Sequence, residues 1–532
     1  MILFQRKHRY VLSILSGILM VISFPFTGSL TLIAFVSWIP ILLVEATISQ
    51  QKYKSRKVFL HAYITFFIYN LGTTFWVWNA SPGGSILAFL VNSLLMALVF
   101  YGFHLTKKYV GNKEGYAALL IYWIGFEYFH YDWESSWPWL SLGNVFSITP
   151  SWIQWYSVTG VLGGSLWVLI VNLLLFRCYQ NVLLKAEKWK IQTPLFYTAG
   201  FIVIVPFIVS LTMYFNYEEK VNPIEVVAIQ PNVNPYEKFN GSALLQLKNM
   251  IELAKTKVTS KTDLVVAPET AISSYIYEGN ANNSREYQYL AESKFDLNNA
   301  LLLWGASTFN HFSHKNSVAS RLLSTGVFEE TYNSSILIDS INAPKVLHKS
   351  KLVPGVEKIP FVSTFPFMSS WSIDLGGSTV GYGIEKEPSI FKTSSFNIAP
   401  VICYESIFGG FVAEQCNKGA EIICIITNDG WWKNTPGYKQ HASFASLRAI
   451  ENRRSIVRSA NTGTTCFINQ RGDFVKSTDW WVKDVIRGDI NLNDEKSFYT
   501  KRGDVLGRSF GFVALLLLLF TFVRRFKKTV SK

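Results

Sequence analysis

Long apolar segments, separated by short polar ones, are the dominant pattern along this chain of 532 residues. Eight of them are long enough to cross the roughly 30 Å hydrocarbon core of a bilayer as helices. They are residues 10–26, 29–47, 58–77, 85–105, 115–131, 158–176, 195–215 and 509–523. The first is longer than a signal-peptide core, lacks a small-residue cleavage site and is followed at once by another span, so we expect it to be retained.

The pattern changes between residues 216 and 507, where the apolar runs become short. Six of these runs have the length of buried strands, namely 224–229, 263–267, 300–304, 334–338, 396–403 and 421–427. Stretches with helical spacing, such as 244–257 and 440–452, alternate with several of them, which is typical of a layered α/β fold. The segment is long enough for one domain with a full core.

Three parts follow from the two patterns. We predict a membrane domain with seven transmembrane helices in residues 1–215, an α/β domain in residues 216–507, and a last transmembrane helix with a basic tail in residues 508–532. Composition agrees, because 49% of the residues are hydrophobic, 15% are aromatic and the mean hydropathy is +0.21. An ordinary soluble protein of this length is less apolar.

The net charge of +14 does not indicate a nucleic-acid partner, because the basic residues do not form one patch. They lie between alternate spans and therefore indicate how the chain is oriented in the membrane. These residues are Arg6, Lys7, Arg9, Lys52, Lys54, Arg56, Lys57, Lys107, Lys108, Lys113, Lys185, Lys188, Lys190, Arg524, Arg525, Lys527 and Lys528. By the positive-inside rule, both termini and the basic loops are cytoplasmic. An even number of spans then places the α/β domain on the outer side of the membrane.

Two features of the membrane part leave alternatives open. Residues 132–157 are rich in tryptophan, which is typical of an aromatic belt at the headgroup level and equally of an entrance for a lipid substrate. Glu127, inside the fifth span, and Glu134 have either an interface position or a functional role.

Candidate chemistry begins at Cys403, where the apolar run 396–403 ends and polar residues and the pair Gly409-Gly410 follow. A thiol at the end of a strand lies at the rim of a sheet, beside backbone N–H groups that can bind an oxyanion, as nucleophilic catalysis requires. A buried structural cysteine is the alternative from this stretch alone.

Two further strand-like runs also end in ionisable residues. Glu269 follows the run 263–267 and a proline, so its carboxylate lies at a strand end and can serve as a general base. Lys349 and Lys351 are both candidates for a cation near the thiol, although a charged run is more often a solvated edge. Perturbed sites are rarer than ordinary surface charges, so neither segment is decisive by itself.

Taken together, the motifs resemble the nitrilase superfamily and, more closely, the apolipoprotein N-acyltransferase family. They are APETAIS at 267–273, HKSKLVPGVEKIP at 348–360, PVICYESIFG at 400–409 and NDGWW at 428–432. Several spans, a carbon–nitrogen hydrolase-like domain and one closing span complete the resemblance. It implies a polytopic α-helical membrane domain joined to an exported αββα sandwich.

The resemblance also implies site residues, which transfer position by position. Glu269 becomes the general base, Lys349 the catalytic lysine and Cys403 the nucleophile, and Lys349 is preferred over Lys351 because only it has the family's spacing to Glu357. The resemblance also gives supporting roles to Glu357, Tyr404 and Glu405.

Several positions limit that transfer. The chain has Gly355-Val356 where the family usually has Phe-Gly, so an aromatic contact is not expected there. Asn428 and Trp431 also fall on family-like positions, and for these two and for Glu405 a structural role is the alternative.

Function follows from the resemblance as an expectation. A phospholipid would donate a fatty acyl chain to Cys403 as a thioester, and the α-amino group of a diacylglyceryl-modified apolipoprotein would accept it. The expected protein is a monomeric, multi-pass protein of the bacterial inner membrane whose catalytic domain faces the periplasm. No metal, organic cofactor or nucleic acid is expected, since the chain has no clustered His and Cys ligands, and His441 is expected to be structural.

Two rival functions remain at this stage. A membrane-anchored amidase acting on exported amides would use the same three residues, and a transporter or sensor with an inactive nitrilase-like domain would need none of them. Cysteine spacing gives no disulfide pattern, since Cys178, Cys416, Cys424 and Cys466 are not paired in sequence, and Cys424 lies in an apolar run expected to be core.

Overall fold

The computed structural model describes residues 4–185, 187–339, 344–365 and 381–530, so the last two residues of the predicted basic tail lie outside it. The chain folds as two compact units. The membrane unit comprises Met1–Trp78, Pro82–Asn216 and Asp504–Lys532, and the α/β unit comprises Asn79–Ser81 and Tyr217–Gly503.

The membrane unit is built from helices. They are Arg6–Ser23, Ile39–Gln50, Arg56–Thr74, Val77–Ala80, Pro82–Tyr109, Asn112–Phe129, Tyr156–Thr159, Val161–Lys185, Trp189–Asn216 and Val505–Val530, with 3₁₀ turns at Thr31–Phe35, Pro138–Leu140, Leu142–Phe146 and Pro150–Trp152. Within the described residues, five stretches are long and apolar enough to cross a membrane: Thr31–Gln50, Pro82–Tyr109, Val161–Val182, Trp189–Asn216 and Val505–Lys528. The predicted spans at 10–26, 58–77 and 115–131 are helices but are not among these five, so the count of eight stays a prediction.

The C-terminal helix, Val505–Val530, packs closely against the helices Pro82–Tyr109 and Asn112–Phe129 of the membrane unit. A Cβ at Gly125 would lie 3.2 Å from the Cα of Gly511, so two glycines let these helices meet. The hydroxyl of Thr521 lies 2.9 Å from that of Thr106. The final helix is therefore part of the membrane unit although nearly three hundred residues of the α/β unit precede it in the chain.

Glu127 has a structural place inside the membrane unit. Its Oε1 accepts hydrogen bonds from Trp123 Nε1 at 2.8 Å and from Leu142 N at 2.9 Å, and its Oε2 accepts one from Ser165 Oγ at 2.5 Å. The tryptophan-rich segment folds against the same region, and the Trp139 side chain is only 1% exposed. Trp139 therefore packs inside the unit, and the two interpretations of the whole segment stay predictions. Glu134 is exposed.

The α/β unit contains thirteen strands among its described residues, numbered β1 to β13 in chain order. They are Pro223–Gln230, Thr262–Val266, Ile272–Tyr277, Leu301–Phe312, Arg321–Leu322, Phe328–Ile338, Lys345–His348, Ile398–Ile402, Ile422–Thr427, Ile456–Ala460, Cys466–Ile468, Phe474–Ser477 and Asp484–Asn491. Its helices are Ala243–Lys255, Arg285–Asp296, Gly409–Asn417, Pro436–Asn452 and Phe498–Arg502. Each of the six predicted strands overlaps one of the observed strands.

The strands form two sheets. One has the order β13-β1-β2-β4-β6-β5, with β3 added beside β4 and β7 beside β6, and the other has the order β12-β11-β10-β9-β8. Strand β9 is buried at every position and pairs in parallel with β8 and β10, which explains its continuous apolar run. Because these strands are parallel, the residues that follow β8 and β9 lie at one edge of the second sheet.

As predicted, this unit is an αββα sandwich, and two of its apolar layers border the first sheet. The inner layer joins the facing sides of the sheets and includes Val226, Leu264, Ile402 and Ile426. The outer layer lies between the first sheet and the helices Ala243–Lys255 and Arg285–Asp296. All five cysteines are free and buried, and Cys424 belongs to the inner layer, which confirms its expected place in the core.

Candidate active site

Cys403 lies directly after strand β8, as the first residue of a 3₁₀ turn, Cys403–Ile407. Its backbone is left-handed, with φ at 51°, a conformation uncommon outside glycine. Strain of this kind is found where a side chain must be held at a sharp turn. The side chain is 9% exposed, so the thiol lies in a mostly enclosed space at the sheet edge.

Glu269 follows strand β2 and is packed from behind by Gly305 in β4. A Cβ at Gly305 would lie 2.4 Å from the carbonyl oxygen of Pro268 and 2.6 Å from the Cα of Glu269. Only glycine leaves room for this close approach. Glu269 is held in place and is 7% exposed.

Lys349 follows the short strand β7 and contacts two of the predicted carboxylates. Its Nζ lies 3.0 Å from Glu269 Oε1 and 2.8 Å from Glu357 Oε1, and the residue is fully buried. Lys351 points elsewhere, with its Nζ 5.5 Å from the centre of the Phe408 ring. The geometry therefore separates two lysines that the local sequence alone left open.

Asn333 is a site residue that the sequence analysis missed. Its Nδ2 donates to Glu269 Oε1 at 2.8 Å and to Glu357 Oε1 at 3.1 Å, so one amide spans both carboxylates. Among the described residues, Glu269 Oε1 is the carboxylate oxygen that accepts the hydrogen bonds of Asn333 and Lys349. The available signal was a polar residue in the middle of the buried strand β6.

Charge around the thiol favours its protonated form. Burial and the Glu269 carboxylate raise the pKa of Cys403 well above the usual range of a thiol, while Lys349 opposes them. Burial alone would lower the pKa of Lys349, but Glu269 and Glu357 outweigh it and raise that pKa well above its ordinary value. These directions favour a neutral thiol at Cys403 and an ammonium at Lys349 in the resting site.

Glu405 connects the lysine segment to the cysteine turn. Its Oε1 accepts from the backbone N–H of Ser350 at 2.5 Å, and its Oε2 accepts from that of Ile402 at 2.7 Å. Burial raises the pKa of Glu405 to about 7, and these backbone hydrogen bonds act in the opposite direction. Glu357 is held in a similar way, since its Oε2 accepts from Val353 N at 2.8 Å.

Lys238 is a second residue that the sequence analysis missed. Its ammonium is buried and donates to the carbonyl oxygen of Glu269 at 2.9 Å and to Thr270 Oγ1 at 2.7 Å. Burial lowers the pKa of Lys238 to about 7. The lysine therefore fixes the backbone that carries Glu269.

Asn428 and Trp431, which also fall on family-like positions, contact residues other than Glu269 and Lys349. Asn428 Oδ1 accepts from Asn461 Nδ2 at 3.1 Å, and the Trp431 ring lies 5.2 Å from that of Tyr236. Within the described ranges, no group of three or more His, Cys, Asp and Glu side chains could hold a metal ion.

Family models match both parts of the chain. One described as carbon–nitrogen hydrolase matches residues 228–499, just over half of the chain. Another, described as the apolipoprotein N-acyltransferase N-terminal domain, matches residues 16–174.

Known relatives are similar along nearly the whole length. The apolipoprotein N-acyltransferase of Chlorobaculum tepidum is 28% identical over 532 residues, covering 97% of both chains. That of Geobacter metallireducens is 26% identical and covers 94% of this chain and 92% of its own. Among solved structures, an amidase from Nesterenkonia sp. is 12% identical with a TM-score of 0.37, covering 54% of this chain and 95% of its own. A match that distant says nothing about activity.

Proposed function

The chain belongs to the carbon–nitrogen hydrolase family, and we propose that it is an apolipoprotein N-acyltransferase that works through a thioester on Cys403. It moves a fatty acyl chain from a membrane phospholipid to the α-amino group of the N-terminal S-diacylglyceryl cysteine of a lipoprotein. The observation that carries the proposal is similarity to N-acyltransferases over 97% of the chain, through both units. An amidase of the same family would need only the α/β unit.

In the first half-reaction, the Cys403 thiol attacks the ester carbonyl carbon of the phospholipid. Because the pKa of this thiol is raised, its proton must move to Glu269 as the sulfur–carbon bond forms. The carbonyl oxygen becomes an oxyanion, which the Lys349 ammonium and the N–H of Tyr404 stabilise, a contribution of about 3 kcal/mol for each donor. Collapse breaks the ester bond, and the lysophospholipid leaves with the proton held by Glu269.

In the second half-reaction, the amine of the lipoprotein attacks the thioester. Glu269 takes a proton from the attacking nitrogen, an amide bond forms, and the proton passes to the departing sulfur to regenerate the thiol. The same oxyanion donors act again. A thioester is reactive toward amines, and the mostly buried position of Cys403 keeps water from competing.

Location belongs to the same proposal. The protein is a multi-pass protein of the inner membrane, and its α/β unit faces the periplasm. The five long apolar helices and the placement of the basic residues between alternate spans support this. Both lipid substrates would then lie in the outer leaflet, where the catalytic unit reaches them.

The test is transfer of a labelled acyl chain from phospholipid to a diacylglyceryl-modified peptide by the purified full-length protein. The wild type should form the N-acyl peptide and lysophospholipid in equal amounts, and Cys403→Ala should form neither. Release of ammonia from small amides without acyl transfer would instead favour the amidase.

A further inference from the structure

A buried polar network lies directly behind the nucleophile and is not explained by the roles assigned above. His441 Nε2 is 3.1 Å from the carbonyl oxygen of Cys403, and Ser406 Oγ donates to the same oxygen at 2.8 Å. The two side chains also contact each other, with 2.8 Å between Ser406 Oγ and His441 Nε2. His441 lies on the helix Pro436–Asn452 and is 1% exposed.

The imidazole is oriented by two charged residues on its far side. Its Nδ1 lies 2.9 Å from Asp429 Oδ1, and Arg458 Nη2 contacts Asp429 Oδ2 at 2.6 Å. Arg458 is in turn held by the carbonyl oxygen of Thr464 at 2.6 Å. Arg458 and the His441 ring hold the pKa of Asp429 at about 2 although burial opposes them, so this carboxylate stays charged.

These contacts converge on the peptide group between Cys403 and Tyr404. Ser406 Oγ donates to this carbonyl oxygen, and because a carbonyl oxygen can only accept, the 3.1 Å contact of His441 is a hydrogen bond in the state in which Nε2 carries the hydrogen. The same planar peptide contains the N–H of Tyr404, which points in the opposite direction from the carbonyl. Fixing the carbonyl therefore fixes the direction of the Tyr404 N–H. Hydrogen bonds to the carbonyl also polarise the amide and strengthen its N–H as a donor.

We propose that His441 and Ser406 are positioning residues that hold and polarise the Cys403–Tyr404 peptide, so that its N–H stabilises the oxyanion of acyl transfer. They act through the backbone of Cys403. Asp429 and Arg458 keep the imidazole aimed at the carbonyl. The inference rests on the proposed thioester chemistry, but it concerns any acyl donor that reacts at Cys403.

A purely structural role is the alternative, because a serine hydroxyl often bonds to a carbonyl three residues earlier. The two roles differ in which reaction of the thiol they affect. Acylation passes through a tetrahedral oxyanion, whereas alkylation by iodoacetamide displaces iodide from a saturated carbon and forms no carbonyl oxyanion. Loss of oxyanion stabilisation should therefore slow acylation and spare alkylation.

The experiment measures both rates at Cys403 in the purified full-length protein, using p-nitrophenyl butyrate as acyl donor and iodoacetamide as alkylating agent. His441→Phe should slow acylation about 100-fold and Ser406→Ala about tenfold, on the scale of losing one oxyanion donor. His441→Gln, which restores an N–H donor, should recover part of the loss. Alkylation should change less than threefold in all three variants.

Ser446→Ala is the control on the same helix, because this buried hydroxyl makes no hydrogen bond within the described residues. It should change neither rate. Ser406→Ala keeps the contact of His441 with Asp429, so the test survives if His441→Phe does not fold. Equal losses of acylation and alkylation, or unchanged acylation in both Ser406→Ala and His441→Phe, would overturn the proposal. A wild type that reacts with the p-nitrophenyl ester but never with phospholipid would refute the N-acyltransferase function and leave this inference measurable.

Discussion

The backbone N–H of Ser350 donates to Glu405 Oε1 at 2.5 Å, although the two residues are 55 positions apart in the chain. Through this hydrogen bond, the residue after Lys349 is attached to the turn that begins at Cys403. Glu405 thus attaches the backbone beside Lys349 to the backbone beside Cys403.

Glu405→Gln tests this attachment. An amide has one accepting oxygen, so its NH₂ group would face a backbone N–H of either Ser350 or Ile402, and one donor would lose its acceptor. We expect a loss of about 1–3 kcal/mol in the free energy of unfolding and at least a tenfold slower acylation of Cys403. Chemical unfolding and thioester formation measure the two effects. Glu414→Gln, on an exposed ion pair with Lys418, should change neither, and equal behaviour of the two variants would contradict the role of Glu405.

A second prediction separates the two lysines. Lys349→Ala removes the ammonium that contacts both Glu269 and Glu357, so turnover should fall about 1,000-fold or more. Glu269→Gln should be similarly damaging because it removes the proton acceptor. Lys351→Ala should cost little, since its ammonium lies over the Phe408 ring. Steady-state acyl transfer measures all three. A Lys351→Ala variant as inactive as Lys349→Ala would show that the catalytic role is assigned to the wrong lysine.

A third prediction concerns the pH dependence of Cys403 alkylation in a variant that keeps only this cysteine. The thiolate is the reactive form, and the raised pKa means that little thiolate exists at pH 7. The logarithm of the rate should therefore rise with a slope near one from about pH 7 to 10. A plateau below pH 8 would instead indicate a stable thiolate paired with Lys349.

Glu269→Gln gives this prediction an internal check, because the Glu269 carboxylate raises the pKa of the thiol. Removing that charge should lower the pKa and speed alkylation at a fixed pH, while acyl transfer is lost. Opposite effects of one substitution on two reactions of the same thiol would not follow from misfolding. Slower alkylation in this variant would contradict the electrostatic account.

Much of this arrangement was predictable from the chain because strand ends are marked by local patterns. The apolar runs before Glu269 and Cys403 end where strands β2 and β8 end, or within one residue of it. The contacts of Asn333 and Lys238 were not predictable, since each reaches Glu269 across 64 and 31 residues of chain respectively. The polar Asn333 inside the buried strand β6 is a local signal, but it does not tell which residue Asn333 contacts.

His441 illustrates the same limit. It was expected to be structural, and only the packing of the helix Pro436–Asn452 brings its ring to the Cys403 carbonyl. Gly355 has φ at 80°, where a side chain is strained, so this position suits glycine better than the family's usual aromatic residue.

The fourth prediction concerns topology. Single cysteines at Lys54 and Lys113, in a protein without native cysteines, should resist impermeant thiol reagents added outside the cell membrane. Cysteines at Asn282 and Ser313 should react, and all four positions are exposed in the structure, so access does not depend on unfolding. Labelling of both basic loops from outside would contradict the eight-span arrangement.

The central claim is that Cys403 carries the acyl chain, and mass spectrometry of the purified protein tests it most directly. Given phospholipid without an amine acceptor, the peptide containing Cys403 should gain the mass of a fatty acyl chain, because the second half-reaction cannot proceed. Hydroxylamine should remove the adduct, and so should a lipid-modified peptide with a free N-terminal amine, while the buried Cys416, Cys424 and Cys466 stay unmodified. An adduct on one of those cysteines, or one that water discharges as fast as the amine does, would contradict the claim.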